Sequence, residues 1–267
     1  MTGNLNSKYK DIIERYVDSI DWLRSQFLEM DSMMDVIMGI RDWDDSVCVE
    51  FGNKKLVVSV DGPYTKRLVM KSALVHATTD VVVKGARPLF AMDALIGNEE
   101  DIREMAASLK RQALSLKIPI LGGNTLVEDK EARCNLTVIG ELITEKPIRD
   151  STCMSGDIIV ILGEPIWGKQ DDRLKKAKNL FSVWFGILNK SVEIHAAKDI
   201  TKGGLVSTLY EISKKSGLGF DINSDIEFSV TRNLDNFLVF ISPEEWRNLL
   251  KMCKKKDLSV LRIGRVR

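Results

Sequence analysis

The chain has 267 residues, enough for one large or two modest domains at about 150 residues per domain. Apolar residues make up 44% of it, a fraction that is typical of a packed protein and argues against disorder. The 39 basic and 38 acidic residues leave a net charge of +1, so the basic excess that accompanies broad nucleic-acid binding is missing and no nucleic-acid partner is expected.

Cysteine and histidine usage narrows the chemistry. The four cysteines form no CxxC pair and no signal-peptide pattern precedes them, so we expect reduced thiols in a cytoplasmic protein. No apolar run approaches the ~20 residues of a membrane span, so no membrane partner is expected. Two histidines leave few histidine-based metal sites, and carboxylates become the main candidates for polar chemistry.

Hydrophobic periodicity and turn residues predict two units that each mix strands with helices. The first unit has predicted helices at 9–30, 66–85 and 99–117 and strands at 47–51, 56–60, 89–95, 119–121 and 135–144, in the order ββαβαββ. The second has predicted helices at 171–188, 204–216 and 243–256 and strands at 157–162, 237–241 and 258–263. Charges and turn residues at 145–156 predict the boundary, giving domains 1–150 and 151–267. The fold class is α+β, with helices layered on a sheet.

Segment 163–170 nearly matches the phosphate-binding P-loop pattern, GxxxxGK followed by Ser or Thr. Its last position is Gln170, which has no hydroxyl for magnesium. Pro165 also removes one of the N–H groups that such a loop points at phosphates. We interpret the segment as an ordinary connection from a strand to a helix.

Aspartates recur at strand ends and in helices, at Asp44, Asp45, Asp61, Asp80 and Asp199. Magnesium prefers oxygen ligands and usually accompanies substrate phosphates, so several converging aspartates would form a site for a magnesium-bound polyphosphate. Taken singly, most of them also fit a turn, a strand end or a helix cap. Asp80 fits those explanations least, because it lies at the apolar side of its helix, where an unpaired carboxylate is costly.

Gly203 and Gly204 open the predicted helix 204–216. Glycines at a helix start let an anion approach the exposed N–H groups, where the helix dipole favours negative charge. Tight helix packing or a turn accounts for the same two glycines equally well, and the sequence leaves both readings open.

The ordered motifs resemble those of the aminoimidazole ribonucleotide (AIR) synthetase superfamily. That superfamily includes selenophosphate synthetase, thiamine-monophosphate kinase, the hydrogenase-maturation carbamoyl dehydratase and formylglycinamide ribonucleotide amidotransferase. The matching segments are DDSV at 44–47, VSVDG at 58–62, TDVVVKGARP at 79–88, GGNT at 122–125, GE at 140–141, GDIIV at 156–160, HAAKDITKGGL at 195–205, SGLGFDI at 216–222 and IGRV at 263–266. The segment at 79–88 is the most diagnostic of them.

The resemblance implies a PurM-like two-domain fold. In that fold the N-terminal sheet forms a barrel with the sheet of a second copy, which makes a homodimer, and a C-terminal α+β domain faces a cleft. The resemblance also implies ATP and Mg²⁺ as cofactors and ATP-driven activation, by phosphorylation, of a small-molecule substrate or a partner's group. In-line phosphoryl transfer needs mainly positioning and charge neutralisation, which suits a site of aspartates and glycine-rich turns.

Site residues follow from the same resemblance. The implied metal ligands are Asp44, Asp45, Asp61 and Asp80. Asp80 and Asp199 are assigned to catalysis, with Asp199 as a ligand from the second domain or a group that orients the substrate. The implied cofactor-binding residues are Asp61, Lys66, Thr79, Gly122, Gly123, Asn124, Gly203 and Gly204. Lys66 or Lys84 would offset phosphate charge, although Lys84 is equally explained as a cation at the C-terminal end of its helix. Thr79 and Asn124 would lie near the phosphates.

One departure from the family pattern supports an alternative. The family's flexible N-terminal loop, which covers the phosphates, has no counterpart in this sequence. The sequence therefore leaves two functions open: an ATP-dependent enzyme that resembles a kinase or ligase, and a degenerate paralogue without catalysis that binds nucleotide or only dimerises, as a scaffold or regulator.

Overall fold

The first sheet gathers strands from the N-terminal half of the chain. The computed structural model describes residues 7–190, 192–223 and 231–267. Within these residues the strands of the first sheet are β1 (Val36–Met38), β2 (Val47–Phe51), β3 (Lys54–Thr65), β4 (Ala86–Gly97), β5 (Ile120–Val127) and β6 (Arg133–Leu142). Their order is β1-β2-β3-β6-β4-β5, and every neighbouring pair is antiparallel except β4 and β5.

Helices cover one face of that sheet. They are α2 (Lys66–Val69), α3 (Ala73–Val82) and α4 (Glu99–Leu116), whereas α1 (Ser7–Ser25) packs against α6 (Gly204–Ser216) of the second unit. Helix α4 begins as the sequence predicts, because the Asn98 side chain accepts a hydrogen bond from the backbone N–H of Asp101. Gly85 follows α3 with φ +86°, a conformation that glycine adopts without the steric cost of a Cβ.

The second sheet contains β7 (Ile158–Leu162), β8 (Ile194–Asp199), β9 (Phe220–Ile222), β10 (Phe237–Ile241) and β11 (Val260–Val266). Its order is β8-β10-β7-β11-β9, antiparallel throughout. Its helices are α5 (Gln170–Leu188), α6 (Gly204–Ser216) and α7 (Trp246–Lys255). The predicted α+β class, with helices layered on sheets, is confirmed.

Three strands and two helices differ from the sequence prediction. Strands β1, β8 and β9 were not predicted, since they are short or lack alternation of apolar and polar residues. The helix predicted at 66–85 is divided into α2 and α3, because Ser72 has a non-helical conformation. The helix predicted at 9–30 ends at Ser25 and is followed by a 3-10 turn at Leu28–Met33.

Helix α3 lies between the two sheets and contributes to both cores. All ten of its residues are buried. Its Ala77 and Val81 belong to the core of the first sheet, whereas Val75 and Val82 pack with Trp184 of α5 in the core of the second. The Trp184 indole N–H also donates to the Val82 carbonyl at 2.7 Å. Helix α3 is therefore packed against both units. The domain boundary near residue 150 stays a prediction.

No helix among the residues that the structure describes is long and apolar enough to cross a membrane.

Candidate functional site

An acidic cavity of about 590 Å³ opens where α1, β3, α3 and α6 meet. Its acidic lining residues are Asp45, Asp61, Asp80 and Glu211, and its basic ones are Arg24, His76 and Lys202. Helix α1 supplies Ile20 and Arg24 to this wall. The N-terminal helix therefore forms part of the cavity, a role that its periodicity alone did not indicate.

Three carboxylates converge at the bottom of this region, those of Asp45, Asp80 and Asp199. One oxygen from each lies within 4.8 Å of the other two. Asp45 precedes β2, Asp80 lies on the buried helix α3, and Asp199 ends β8. The two sheets thus deliver the three side chains from segments that are far apart in the sequence.

Neighbouring hydroxyls fix two of these carboxylates. The Ser59 hydroxyl on β3 donates to Asp80 Oδ2 at 3.0 Å. The Thr79 hydroxyl on α3 donates to Asp199 Oδ2 at 2.9 Å and so ties the second sheet to the first unit. Because Thr79 is itself fully buried, its hydroxyl orients Asp199, and its expected place beside the phosphates stays a prediction.

The electrostatics of the group favour a bound cation. Burial raises the pKa of Asp80 well above its usual value, and the nearby charges of Asp199 and Asp61 raise it further. Burial likewise raises the pKa of Asp199, although Lys198 and His76 oppose the shift. Asp199 Oδ1 is buried and has no hydrogen-bond partner among the described residues. Mg²⁺ takes oxygen ligands and is usually held by one or two carboxylates together with waters and substrate phosphates, so these clustered carboxylates fit that ion.

His76 holds the opposite charge in the same cavity. Its Nδ1 lies 2.6 Å from Asp235 Oδ1, and its Nε2 lies 3.4 Å from Asp61 Oδ2. Burial disfavours the imidazolium, but the Asp235 carboxylate outweighs burial and raises the pKa of His76 to about 9. Sequence reasoning missed this residue; its position four residues before Asp80, on the same face of α3, was the available signal.

The His76 pair predicts a specific dependence of stability on pH. Because the folded-state pKa of about 9 exceeds the ordinary 6.5, the stabilisation is complete below pH 6.5 and is lost as the pH rises through 9. We expect His76→Gln to lower the free energy of unfolding at pH 6 by on the order of 3 kcal/mol and to flatten this part of the pH profile. Denaturant titrations from pH 6 to 10 measure both, and a wild-type slope retained in the variant contradicts the assignment.

Two family models match most of this chain. The model described as AIR synthase related protein, N-terminal domain, matches residues 43–142, and the model described as AIR synthase related protein, C-terminal domain, matches residues 169–267. The chain belongs to the AIR synthase related family. The match confirms the resemblance of the ordered motifs, and both models include parts of the three-carboxylate site.

Curated relatives agree with this family. An uncharacterized protein of Methanocaldococcus jannaschii is 33% identical over 267 residues, covering 98% of this chain and 88% of that protein. A putative hydrogenase expression/formation protein of the same organism is 27% identical over 214 residues, covering 70% of this chain and 63% of that protein. The selenide, water dikinase of Caldanaerobacter subterraneus is 24% identical over 222 residues, covering 74% of this chain and 63% of the enzyme. This chain spans less than two thirds of the latter two.

Solved structures share the AIR synthase related fold. T. maritima PurL complexed with ATP superposes with a TM-score of 0.69 and 18% identity, over 82% of this chain and 41% of that one. A chain of the HypE–HypF complex superposes with a TM-score of 0.65 and 22% identity, over 85% of this chain and 88% of that one. At these identities the likeness establishes the fold alone, and the predicted PurM-like fold is confirmed.

Asp44, expected beside Asp45 as a metal ligand, belongs to a different cluster. Its enclosed carboxylate lies 2.8 Å from Lys84 Nζ and 2.7 Å from Arg149 Nε. Burial opposes ionisation, but Lys84 lowers the pKa of Asp44 well below its usual value. Lys84 is fully buried and also pairs with Asp150, so it cannot offset phosphate charge. Within the AIR synthase related fold, Asp44, Lys84 and Asp150 therefore form a buried ion cluster in the first unit, and Lys215 of the second unit joins it through Asp150.

Asp45 belongs both to this buried ion cluster and to the three-carboxylate group that could hold a metal. Lys198, on β8, forms a close ion pair with Asp45 and lies 3.7 Å from Glu211 Oε1. Lys215 on α6 lies 2.6 Å from Glu211 and 3.0 Å from Asp150. Burial would raise the pKa of Glu211, but the two lysines lower it to about 2. Sequence reasoning missed these lysines because Asp45 and Asp150, which pair with Lys198 and Lys215, lie in other segments.

The remaining predicted residues lie away from the carboxylate group. Lys66 pairs with Asp101 and Glu104 of α4, each at 2.6 Å, and its role in offsetting phosphate charge stays a prediction. Gly122, Gly123 and Asn124 lie exposed on edge strand β5. Asp61 and Gly123 occupy one register row on β3 and β5, three strand spacings or roughly 14 Å apart, so a single chain does not bring them together.

Gly203 and Gly204 start α6 behind the cavity, next to the lining residues Thr201 and Lys202. Both have positive φ, +89° and +74°. A Cβ on Gly203 would lie 2.5 Å from the Ser207 Cβ, and one on Gly204 would lie 2.1 Å from the Thr231 hydroxyl. Tight packing at a helix start thus accounts for these glycines, and their role in cofactor binding stays a prediction.

Proposed function

We propose that this protein binds ATP through Mg²⁺ in the acidic cavity and transfers a phosphoryl group to a small-molecule substrate or a partner's group. The observation that carries the proposal is the convergence of Asp45, Asp80 and Asp199, with raised pKa values at Asp80 and Asp199 and an unsatisfied oxygen on Asp199. When bound, Mg²⁺ supplies charge neutralisation at phosphate oxygens. The T. maritima PurL structure with ATP and the name of the selenide, water dikinase support nucleotide chemistry in the family.

The chain's own residues would divide the work. Asp45, Asp80 and Asp199 would hold the metal, with Ser59 and Thr79 fixing the positions of the last two. Arg24 and Lys202 add positive charge to the cavity wall, where it would attract phosphate oxygens. Asp61 lines the same cavity outside the group of three, and we retain it as a cofactor-binding residue.

A thermal-shift series tests this function on the whole chain. We expect Mg²⁺ and ATP together to raise the melting temperature by several degrees at saturating concentration, since a ligand at 100 times its Kd stabilises by about 2.7 kcal/mol. Asp199→Asn should lose this shift, because the metal loses a ligand. No shift in the wild type contradicts nucleotide binding, while a shift without ADP release, tested over a panel of acceptors, favours the non-catalytic alternative.

We also propose that two copies pair through the uncovered face of the first sheet. Val60, Met92 and Thr137 form one register row on that face, with Val60 70% and Met92 44% exposed. Leu126 on edge strand β5 continues the apolar surface. Contiguous exposed apolar surface of this kind marks an interaction site, and a second copy offers the matching face. Four free, buried cysteines are consistent with a reducing, cytoplasmic location.

Val60→Glu is expected to convert this dimer into monomers, because it places a charge at the middle of the apolar face. Sedimentation velocity measures the change directly. Lys110→Glu, at an exposed position of α4 on the opposite, helix-covered side of the sheet, is the matched control and should leave the dimer intact. A wild-type monomer, or a variant that stays dimeric, contradicts the proposed interface.

A further inference from the structure

A second, basic cavity adjoins the acidic one. It encloses about 170 Å³, and His76 and Asn233 line both cavities. Its cationic lining residues are Arg67, Lys71, Arg173 and Arg232. The two cavities therefore place negative charge on one side of His76 and a cluster of positive charge on the other.

Arg173 is the central feature of this basic cavity. Its side chain extends from α5, is only 5% exposed, and has no carboxylate within 4.0 Å among the described residues. Its Nε donates to the Gly168 carbonyl at 3.0 Å and its Nη1 donates to the Ser72 hydroxyl at 2.9 Å. These two neutral acceptors fix the guanidinium in place but do not neutralise it. A buried charge without a counter-ion is costly, so the site lacks an anion.

The other cationic side chains of the cavity add to its positive charge without supplying a counter-ion. Arg67 and Lys71 form no ion pair within the described part of the chain, and the Arg232 guanidinium lies over the Trp167 ring at 5.5 Å. Burial lowers the pKa of Arg173, and the charges of Arg232 and Arg67 lower it further despite the opposing effect of Asp235. Asp235 lines the cavity too, but its carboxylate is engaged 2.6 Å from His76 Nδ1.

We propose that the basic cavity binds the phosphate group of a phosphorylated small molecule, whose remaining part extends past His76 and Asn233 to the acidic cavity. Several guanidinium groups match the geometry and charge of a phosphate monoester better than those of a single carboxylate ligand. The volume is below the roughly 300 Å³ at which pockets for whole ligands begin, so it suits one anionic group and not a nucleotide. Only the role of this molecule as the phosphoryl acceptor depends on the proposed function; the binding itself does not.

Calorimetric titration of the nucleotide-free, metal-free protein tests the proposal, with glycerol 3-phosphate and inorganic phosphate as probes. We expect both to bind, and Arg173→Gln and Arg232→Gln to weaken binding at least tenfold each. Lys175→Gln is the matched control, because Lys175 is exposed on α5, the helix of Arg173, and lines a different cavity. The affinity of this variant for phosphate should stay within twofold of wild type. Arg232 is exposed, so its variant tests the cavity even if Arg173→Gln does not fold.

Three results overturn the proposal: no phosphate binding to the wild type at millimolar concentration, equal affinity in Arg232→Gln and wild type, or equal loss in Lys175→Gln. A competition arm distinguishes the two sources of phosphate. If Mg²⁺ and ATP displace inorganic phosphate from the wild type, the cavity holds nucleotide phosphate and the assignment to a second molecule is wrong. If the wild type binds phosphate but not Mg²⁺ with ATP, the proposed function fails while the anion site stands.

Discussion

Asp80→Asn is expected to weaken divalent-cation binding by roughly 100-fold or more while leaving the metal-free protein as stable as wild type or more stable. The carboxylate offers one of three converging oxygens, and the amide that replaces it carries no charge for the ion. In the metal-free protein the same carboxylate is a liability, because burial and the neighbouring Asp199 raise its pKa. Stability of the wild type should therefore fall as the pH rises above the ordinary carboxyl value of 3.8 and toward the raised folded-state value.

Electron paramagnetic resonance titration with Mn²⁺, as a probe for Mg²⁺, measures the loss of binding, and denaturant titration measures the stability. Asp93→Asn is the matched control. Asp93, on β4, is partly buried and burial raises its pKa too, but it lines a different cavity. Wild-type Mn²⁺ affinity in Asp80→Asn, or an equal loss in Asp93→Asn, contradicts the assignment. A gain in stability together with a loss of binding is typical of residues kept for function.

Lys84→Met is expected to cost about 3–5 kcal/mol of unfolding free energy, the largest loss of stability that we predict. The fully buried Lys84 ammonium lies 2.8 Å from Asp44 Oδ1 and also pairs with Asp150. Burial disfavours its charge, but Asp150 and Asp44 outweigh burial and raise the pKa of Lys84. Its removal leaves two buried carboxylates, those of Asp44 and Asp150, without their main counter-ion.

Denaturant titration at pH 7 measures this loss. Lys54→Met provides the matched control, because Lys54 pairs with Glu141 at 2.8 Å on the exposed surface of β3 and β6. An exposed pair of this kind contributes within about 1 kcal/mol. A loss in Lys84→Met no greater than that in Lys54→Met would contradict the structural role of the buried cluster.

The sequence located much of the candidate site because local motifs carry it. Asp45, Asp80 and Asp199 each lie in a segment whose pattern resembles the family, and the structure brings their oxygens together. The strong elements were predicted for similar reasons: α6 and β10 have the predicted bounds, since a 3.6-residue period and a continuous apolar run are local signals.

What the sequence could not supply is long-range pairing. Asp44 and Asp45 are adjacent, yet one carboxylate pairs with Lys84 and the other joins the carboxylate group. Lys84 looks like a cation at a helix end until Asp150, 66 residues away, is brought beside it. His76 likewise depends on Asp235, 159 residues away. Such pairs are defined by packing between distant segments, which no single segment encodes.

The central claim is that ATP binds through a metal held by Asp45, Asp80 and Asp199. Calorimetric titration of the wild-type chain with ATP, once in excess Mg²⁺ and once in EDTA, tests it most directly. We predict measurable binding in Mg²⁺ and an affinity at least tenfold lower in EDTA, because the carboxylates repel phosphate when no cation lies between them. Equal affinity under the two conditions, or no binding under either, would contradict it.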